Sequence, residues 1–182
     1  MAGDKIFSKE ELNNGLLKIV KILHKNNITD WFLVYGTLLG IARDNSCINN
    51  DDDIDIICNI KDRNKIKECL KKNGYTFTYG YGIGNFKNIL KTVTMKGSPT
   101  VDFYCSTVDD KGNYNDTWEE VIWSNCYVNN KKEFIKKEWN GTIVHLPNNY
   151  EEKLKNRYGE SWKTPIRKEN RWLPKWRKNK IL

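Results

Sequence analysis

Aspartates that alternate with isoleucines near residue 50 are the side chains best suited to do chemistry. Residues 51–57 read Asp-Asp-Asp-Ile-Asp-Ile-Ile. Because side chains alternate between the two faces of a β-strand, Asp53 and Asp55 point to one face, with Asp51 in phase before them. Like charges at contact repel by about 4 kcal/mol at an effective dielectric of about 20, so clustered carboxylates usually hold a cation. We expect an oxygen-binding cation, Mg²⁺ or Mn²⁺, at this site.

The same acidic run has two simpler interpretations, a solvated loop or a calcium-binding loop. A solvated loop would not continue into alternating isoleucines. A calcium-binding loop needs glycine at its sixth position and glutamate at its twelfth. Counting from Asp51, these positions hold Ile56 and Asp62. We therefore favour acids carried by a strand.

A further aspartate, Asp102, lies within a predicted apolar strand. Along residues 99–105, Val101, Phe103 and Cys105 alternate with Thr100, Asp102 and Tyr104. A buried carboxylate is costly unless it meets a cation, so Asp102 is our candidate for a third metal ligand. The alternative is a surface carboxylate on the solvent-exposed face of an edge strand.

A phosphate site is predicted just before the acidic run. Residues 31–35 form an apolar strand pattern that ends at Gly36, and Thr37 follows at the start of a short helical stretch. Amides at a helix N-terminus bind phosphate, so Gly36 and Thr37 would orient a phosphorylated donor. Arg43 would neutralise charge in the transition state, or else form an ion pair with Asp51 or Asp52. Together with the carboxylates, these groups favour phosphoryl transfer.

The order of these parts resembles the nucleotidyltransferase superfamily, in which a strand ending in Gly-Ser or Gly-Thr precedes a strand bearing Asp-x-Asp. The closer resemblance is to LicD/fukutin-type phosphotransferases. It rests on residues 35–40 (Tyr-Gly-Thr-Leu-Leu-Gly), Arg43, Ile48 and residues 51–55, and on a second block with Leu146, Pro147, residues 149–151, Leu154, residues 157–159, Trp162 and residues 164–165. Residues 30–60 and 144–165 match closely. The sequence departs at residues 49–50, where Asn-Asn replaces the family's usual Pro-Trp.

This resemblance implies an α+β fold, with a nucleotidyltransferase-like mixed β-sheet and helices packed on it. It implies a CDP-linked alcohol, such as CDP-choline or CDP-ribitol, as donor and a glycan hydroxyl as acceptor. It also favours Asp102 as a ligand, since the superfamily takes its third carboxylate from a later strand, and it places Tyr158 among the substrate-binding residues. The alternative within the same chemistry is a nucleotidyltransferase that attacks the α-phosphate of a nucleoside triphosphate.

The composition favours a single compact domain and anionic partners. The chain has 182 residues, 38% of them hydrophobic, which suffices for one core. We assign residues 1–165 to the domain and residues 166–182 to a basic, tryptophan-containing tail. The formal charge of +8 suits phosphates or nucleic acid. The five cysteines form no Cys-x-x-Cys pair, which predicts a cytoplasmic or other reducing compartment. The sequence lacks a long apolar stretch, so we expect no membrane span.

The basic tail raises the further alternative of a non-catalytic nucleic-acid-binding protein. Trp172 and Trp176 lie among basic residues, a composition typical of nucleic-acid binders. We favour tryptophans packed on the domain and arginines directed at a substrate phosphate, because the basic cluster follows the second sequence block and does not stand as a separate module. The acids also count against a nucleic-acid binder, because without bound metal they would repel a polyanion. Nucleic acid is therefore possible as a partner but not favoured. The Gly-x-Gly-x-Gly of residues 80–84 is interpreted as a rim loop, since no helix pattern follows it.

Remaining patterns predict the elements around the site. Ser8 and Glu11 indicate a capping box that opens an amphipathic helix. Residues 62–72 predict a second helix, and Asn140-Gly141 predicts a hairpin. Residues 118–123 are assigned irregular structure and a short helix. Only two histidines are present, so we expect no histidine catalysis.

Overall fold

A computed structural model describes residues 6–78, 89–93, 98–165 and 180–182. The first helix, α1 (Lys9–Lys25), is capped by Ser8, and both hydrogen bonds of the predicted capping box are present. Ser8 Oγ accepts from the Glu11 amide at 3.2 Å, and the Glu11 carboxylate accepts from the Ser8 amide at 2.8 Å. The apolar stripe of this helix is buried, and it comprises Leu12, Leu16, Ile19, Val20 and Leu23.

Eight strands of the described chain form one mixed sheet. They are β1 (Trp31–Leu33), β2 (Asp53–Asn59), β3 (Thr76–Thr78), β4 (Ile89–Val93), β5 (Thr100–Val108), β6 (Tyr114–Asp116), β7 (Val121–Trp123) and β10 (Lys180–Ile181). The order is β1-β2-β5-β6-β7-β10, with β4 also paired to β5 and β3 paired to β4. The β2/β5 and β7/β10 pairs are parallel and the others antiparallel. The predicted mixed sheet is confirmed.

Helix α1 covers the isoleucine face of β2. A Cβ atom built on Gly15 of α1 would lie 3.0 Å from Ile54 Cδ1. The remaining helices are α2 (Tyr35–Asp44), α3 (Arg63–Lys72), which follows a 3₁₀ turn at Ile60–Asp62, and α4 (Tyr150–Tyr158). Because side chains alternate along a strand, the aspartates of β2 point to the face of the sheet opposite α1.

A separate hairpin, β8 (Ile135–Trp139) and β9 (Thr142–Leu146), completes the fold. Asn140 and Gly141 at its tip have φ values of 45° and 71°, as the predicted two-residue turn requires. His145 of β9 stacks on Trp31 of β1, with ring centroids 4.5 Å apart. This hairpin therefore packs beside the edge of the main sheet.

Two predicted elements differ from the structure. The first strand ends at Leu33, and Tyr35, with φ of 49°, already opens α2. Residues 118–123 form turns and then β7 instead of a short helix, because Val121 and Trp123 are buried while Ile122 between them is exposed, a period of two. The glycines of residues 80–84 and both tail tryptophans lie outside the described residues. Within the described ranges, no helix is long and apolar enough to cross a membrane.

Candidate active site

Two aspartates meet at the centre of the sheet. In the parallel pairing of β2 and β5, Asp55 lies directly opposite Asp102. Only 6% of Asp55 and 4% of Asp102 is exposed. Strand β5 is flanked by β2 and β4, so the alternative of an edge-strand position for Asp102 is wrong. The structure brings together these two predicted acids from distant parts of the chain.

The acids before β2 form a second group beside this pair. Asp51, Asp52 and Asp53 each offer a carboxylate oxygen, and the three oxygens lie within 4.8 Å of one another. Burial raises the pKa of Asp55 well above its usual value, and the charges of Asp53 and Asp102 raise it further. The five carboxylates therefore share one region of negative potential.

The start of α2 packs directly on these acids. A Cβ atom on Gly36 would lie 2.8 Å from Asp51 Oδ2 and 3.8 Å from Asp55 Oδ2, so only a hydrogen atom fits there. Thr37 is buried, and its Oγ1 accepts a hydrogen bond from the Asp55 amide at 2.9 Å. Amides in the first turn of a helix have no partner within the helix and carry partial positive charge, which stabilises nearby anions.

Tyr104 orients one of the central carboxylates. Its hydroxyl donates to Asp55 Oδ1 at 3.0 Å, and both side chains are buried. Burial, together with the charges of Asp55 and Asp102, raises the pKa of Tyr104 well above its usual value, so the hydroxyl remains a donor. Tyr104 is not among the site residues predicted from the sequence. The signal for it was its position two residues after Asp102, on the same face of β5.

Arg43 has a different partner from the ones expected. Its Nε and Nη2 donate to Asp44 Oδ2 at 2.9 and 2.7 Å. The suggested ion pair with Asp51 or Asp52 is therefore wrong, because the guanidinium of Arg43 pairs with Asp44 instead. The predicted role of Arg43 in neutralising transition-state charge stays a prediction.

A second arginine, Arg157 at the end of α4, packs on the aromatic residue that opens α2. Its guanidinium lies 4.1 Å from the centroid of the Tyr35 ring and pairs with Glu119 at 3.3 Å. The Tyr35 hydroxyl donates to the Asp116 carboxylate. Asp116 Oδ1 also accepts from the amide of Trp118 at 2.9 Å, which fixes the turn that carries Glu119. These contacts, which we did not predict, join α4, β6 and the start of α2.

Tyr158 follows this arginine and stands near the acids. The pKa of Tyr158 is raised to about 12, and burial is the largest cause. Arg157 opposes this increase, whereas the charges of Asp55 and Asp51 add to it. The second sequence block therefore lies beside the acidic centre. The assignment of Tyr158 to substrate binding remains a prediction.

The architecture is similar to that of solved nucleotidyltransferases. The antibiotic-resistance factor ANT(2'')-Ia aligns with a TM-score of 0.55 at 15% identity, over 76% of this chain and 66% of that one. The lincosamide antibiotic adenylyltransferase LnuA, in its lincomycin-bound structure, aligns with a TM-score of 0.52 at 14% identity, over 79% and 82%. The chain thus spans about two thirds of the length of the first. The mixed sheet and its helices therefore have the nucleotidyltransferase fold.

The family model described as LicD/FKTN/FKRP, nucleotidyltransferase domain, matches residues 27–149. The chain belongs to this family. No curated protein sequence matches it. Family membership supports a transferase activity of the nucleotidyl- or phosphotransferase type.

Proposed function

We propose that this protein is a metal-dependent phosphotransferase that moves a phospho-alcohol group, such as phosphocholine or ribitol phosphate, from a CDP-activated donor to a glycan hydroxyl. The observation that supports it most is the buried, directly opposed pair Asp55 and Asp102 beside the start of α2. Buried carboxylates with adjacent helix amides suit a reaction in which phosphate charge must be neutralised from two sides.

The carboxylates fit Mg²⁺ or Mn²⁺. All ligands on offer are oxygens, which these hard cations prefer, and the Asp51, Asp52 and Asp53 oxygens already lie within 4.8 Å of one another. Asp53, Asp55 and Asp102 would hold the ion, with Asp51 as a further ligand. When bound, the ion would supply charge neutralisation at the phosphate oxygens of the donor.

Protein groups would perform the remaining tasks. The amides of Gly36 and Thr37 would bind the donor phosphate, because they lie at the start of α2 beside the acids. The Asp102 carboxylate would orient the acceptor hydroxyl and accept its proton. Arg43 and Tyr158 would contact the donor. The acceptor oxygen would form a bond to the phosphorus of the phospho-alcohol group, and a nucleoside monophosphate would leave.

The second candidate is a nucleotidyltransferase, and similarity to an adenylyltransferase structure favours it. The two reactions differ in the phosphorus that is attacked, and therefore in their products. We would incubate the protein with CDP-alcohols and with nucleoside triphosphates in the presence of Mn²⁺, and separate the products by mass. Release of CMP from a CDP-alcohol is expected, with Asp55→Asn as the inactive control. Pyrophosphate released from a triphosphate would replace our proposal with the second candidate.

We further place the protein in a reducing compartment. All five cysteines are buried free thiols. The sulfur atoms of Cys58 and Cys105, from paired strands, lie 3.6 Å apart without a bond. A disulfide between them detected in protein purified without reductant would contradict this assignment.

A further inference from the structure

The residues just before α1 are joined to the loop that carries the acids. We call Phe7, Ser8 and Lys9 the N-terminal segment, and residues 46–53 the acid loop. Phe7 and Asp51 form an isolated antiparallel bridge. The Phe7 amide donates to the Asp51 carbonyl at 2.8 Å, and the Asn50 amide donates to the Phe7 carbonyl at 2.9 Å. The backbone of Asp51 is thus fixed by a residue far away in sequence.

Contacts from the start of α1 extend this attachment along the acid loop. The Lys9 amide donates to Asn49 Oδ1 at 3.1 Å. Asn13 Oδ1 accepts from the Cys47 amide at 2.9 Å, and Asn13 Nδ2 donates to Ser46 Oγ at 2.9 Å. Several independent hydrogen bonds therefore hold the acid loop against one end of α1.

The position of the loop is also fixed from its other side. The Asp51 carboxylate lies against Gly36, where an added Cβ would approach Asp51 Oδ2 to 2.8 Å. Phe7 is 4% exposed and belongs to the hydrophobic core, so the bridge to Asp51 rests on a buried anchor. Asn50 has φ of 62°, a left-handed conformation that asparagine adopts more readily than most residues.

The family model starts at residue 27, so the N-terminal segment lies outside the matched region. We infer that Phe7 is a positioning residue of the metal site, which holds Asp51 beside Asp53 so that both carboxylates reach the same cation. This role rests on the proposed metal-dependent function. It assigns a part in the site to residues that the family match does not include.

A purely structural role for Phe7 makes a different prediction. A buried aromatic side chain contributes to stability wherever it lies, so loss of stability alone would not distinguish the two roles. A positioning role predicts weaker cation binding in protein that is still folded. Replacing a residue that orients a metal ligand, without binding the metal itself, typically weakens metal affinity by about 10-fold to 100-fold.

The experiment measures Mn²⁺ affinity directly, from the electron paramagnetic resonance signal of free Mn²⁺, at a temperature where circular dichroism shows every variant folded. Phe7→Ala releases the anchor. Asn49→Ala removes the acceptor of the Lys9 amide and leaves the core intact. Leu23→Ala is the matched control, since it opens a buried site near the other end of α1. Asp53→Asn tests the metal site itself.

We expect Phe7→Ala to raise the Mn²⁺ dissociation constant about 10-fold and Asn49→Ala to raise it about threefold, because one hydrogen bond is lost. The dissociation constant of Leu23→Ala should stay within about twofold of the wild-type value.

If Asp53→Asn weakens binding while Phe7→Ala and Asn49→Ala do not, the inference is overturned and the proposed function stands. Equal losses in Leu23→Ala and Phe7→Ala would also overturn it. If wild type and Asp53→Asn bind alike, the proposed metal site is wrong. Should Phe7→Ala not fold, Asn49→Ala decides.

Discussion

Tyr104 donates a hydrogen bond to Asp55 Oδ1 at 3.0 Å from the strand next to the one that carries Asp55. The other oxygen, Oδ2, is the one directed toward Gly36. The tyrosine thus occupies Oδ1 of Asp55 and leaves Oδ2 on the side of Gly36 and Asp51. The orientation of Asp55 is fixed before any ligand binds.

The first prediction follows from this contact. Tyr104→Phe removes the hydroxyl, so Asp55 loses the donor that selects its rotamer. We expect Mn²⁺ affinity to fall about 10-fold, measured by titration of the free-Mn²⁺ signal. Tyr75→Phe is the matched control, because it removes a hydroxyl from another buried tyrosine. Unchanged affinity in folded Tyr104→Phe would show that Asp55 holds its orientation without help.

Asp53 and Asp55 should link metal binding to stability. A ligand that binds only the folded state stabilises it, so Mg²⁺ or Mn²⁺ should raise the melting temperature of the wild type. Asp53→Asn and Asp55→Asn should reduce this increase. Melting curves with and without metal measure both effects. Identical behaviour of all three proteins would exclude a metal site at these residues.

Asp102→Asn should separate catalysis from stability. If Asp102 completes the site, kcat should fall by a factor of about 100 or more, with donor binding much less affected. The melting temperature of the metal-free protein should not fall, because the substitution removes one of two opposed charges. Asp110→Asn, at an exposed aspartate, is the control. Near-normal turnover in folded Asp102→Asn would move the third ligand to Asp51 or Asp52.

Gly36→Ala tests the close approach of α2 to the acids. Its Cβ would lie 2.8 Å from Asp51 Oδ2, so the helix start or the carboxylate must move. We expect about a 10-fold loss of metal affinity, since a ligand is displaced. Ala42→Gly weakens the same helix by about 1 kcal/mol without touching the acids and is the control. Equal metal affinity in both variants would show that the added methyl group is accommodated at residue 36 without disturbing the metal ligands.

His145 should make stability depend on pH. Burial, together with the nearby charges of His24 and Lys136, lowers the pKa of His145 from its usual 6.5 to about 4. The unfolded state therefore binds a proton more readily between these values. Stability should fall as pH decreases from 6.5 toward 4, by at most about 3 kcal/mol, and the effect should level off below that range.

Urea unfolding at several pH values measures this effect, with His145→Phe as the reference. Phenylalanine can keep the stacking on Trp31 but cannot titrate. The stability of the wild type relative to His145→Phe should decrease on acidification. A difference that does not change between pH 7 and pH 4 would contradict the lowered pKa.

Local patterns in the sequence predicted much of the fold. The capping box at Ser8 and the turn at Asn140-Gly141 depend on residues close in sequence, and both predictions are confirmed. The strand that holds Val121 and Trp123 was missed, because three residues are too few to show alternation against a background of aromatic side chains. Its neighbours in the sheet decide its conformation.

The residues of the candidate site could be proposed from the sequence, but their arrangement could not. Alternation placed Asp55 and Asp102 on strand faces, yet their direct opposition depends on the register between strands that lie far apart in sequence. The contact of Arg157 with Tyr35 depends on where α4 docks, which no local pattern specifies. The choice of Asp44 by Arg43 reflects side-chain geometry within a single turn.

The parallel pairing of β2 with β5 also determines when the site can exist during folding. Hairpins such as β8 and β9 close within about 1–10 μs, because their strands adjoin in the chain. The opposition of Asp55 and Asp102 instead requires closure of a long loop that contains α3 and β4. Such non-local pairing is entropically slow. We therefore expect the acidic centre to assemble late, so that in a newly synthesised chain Asp55 and Asp102 come together only after most of the local structure has formed.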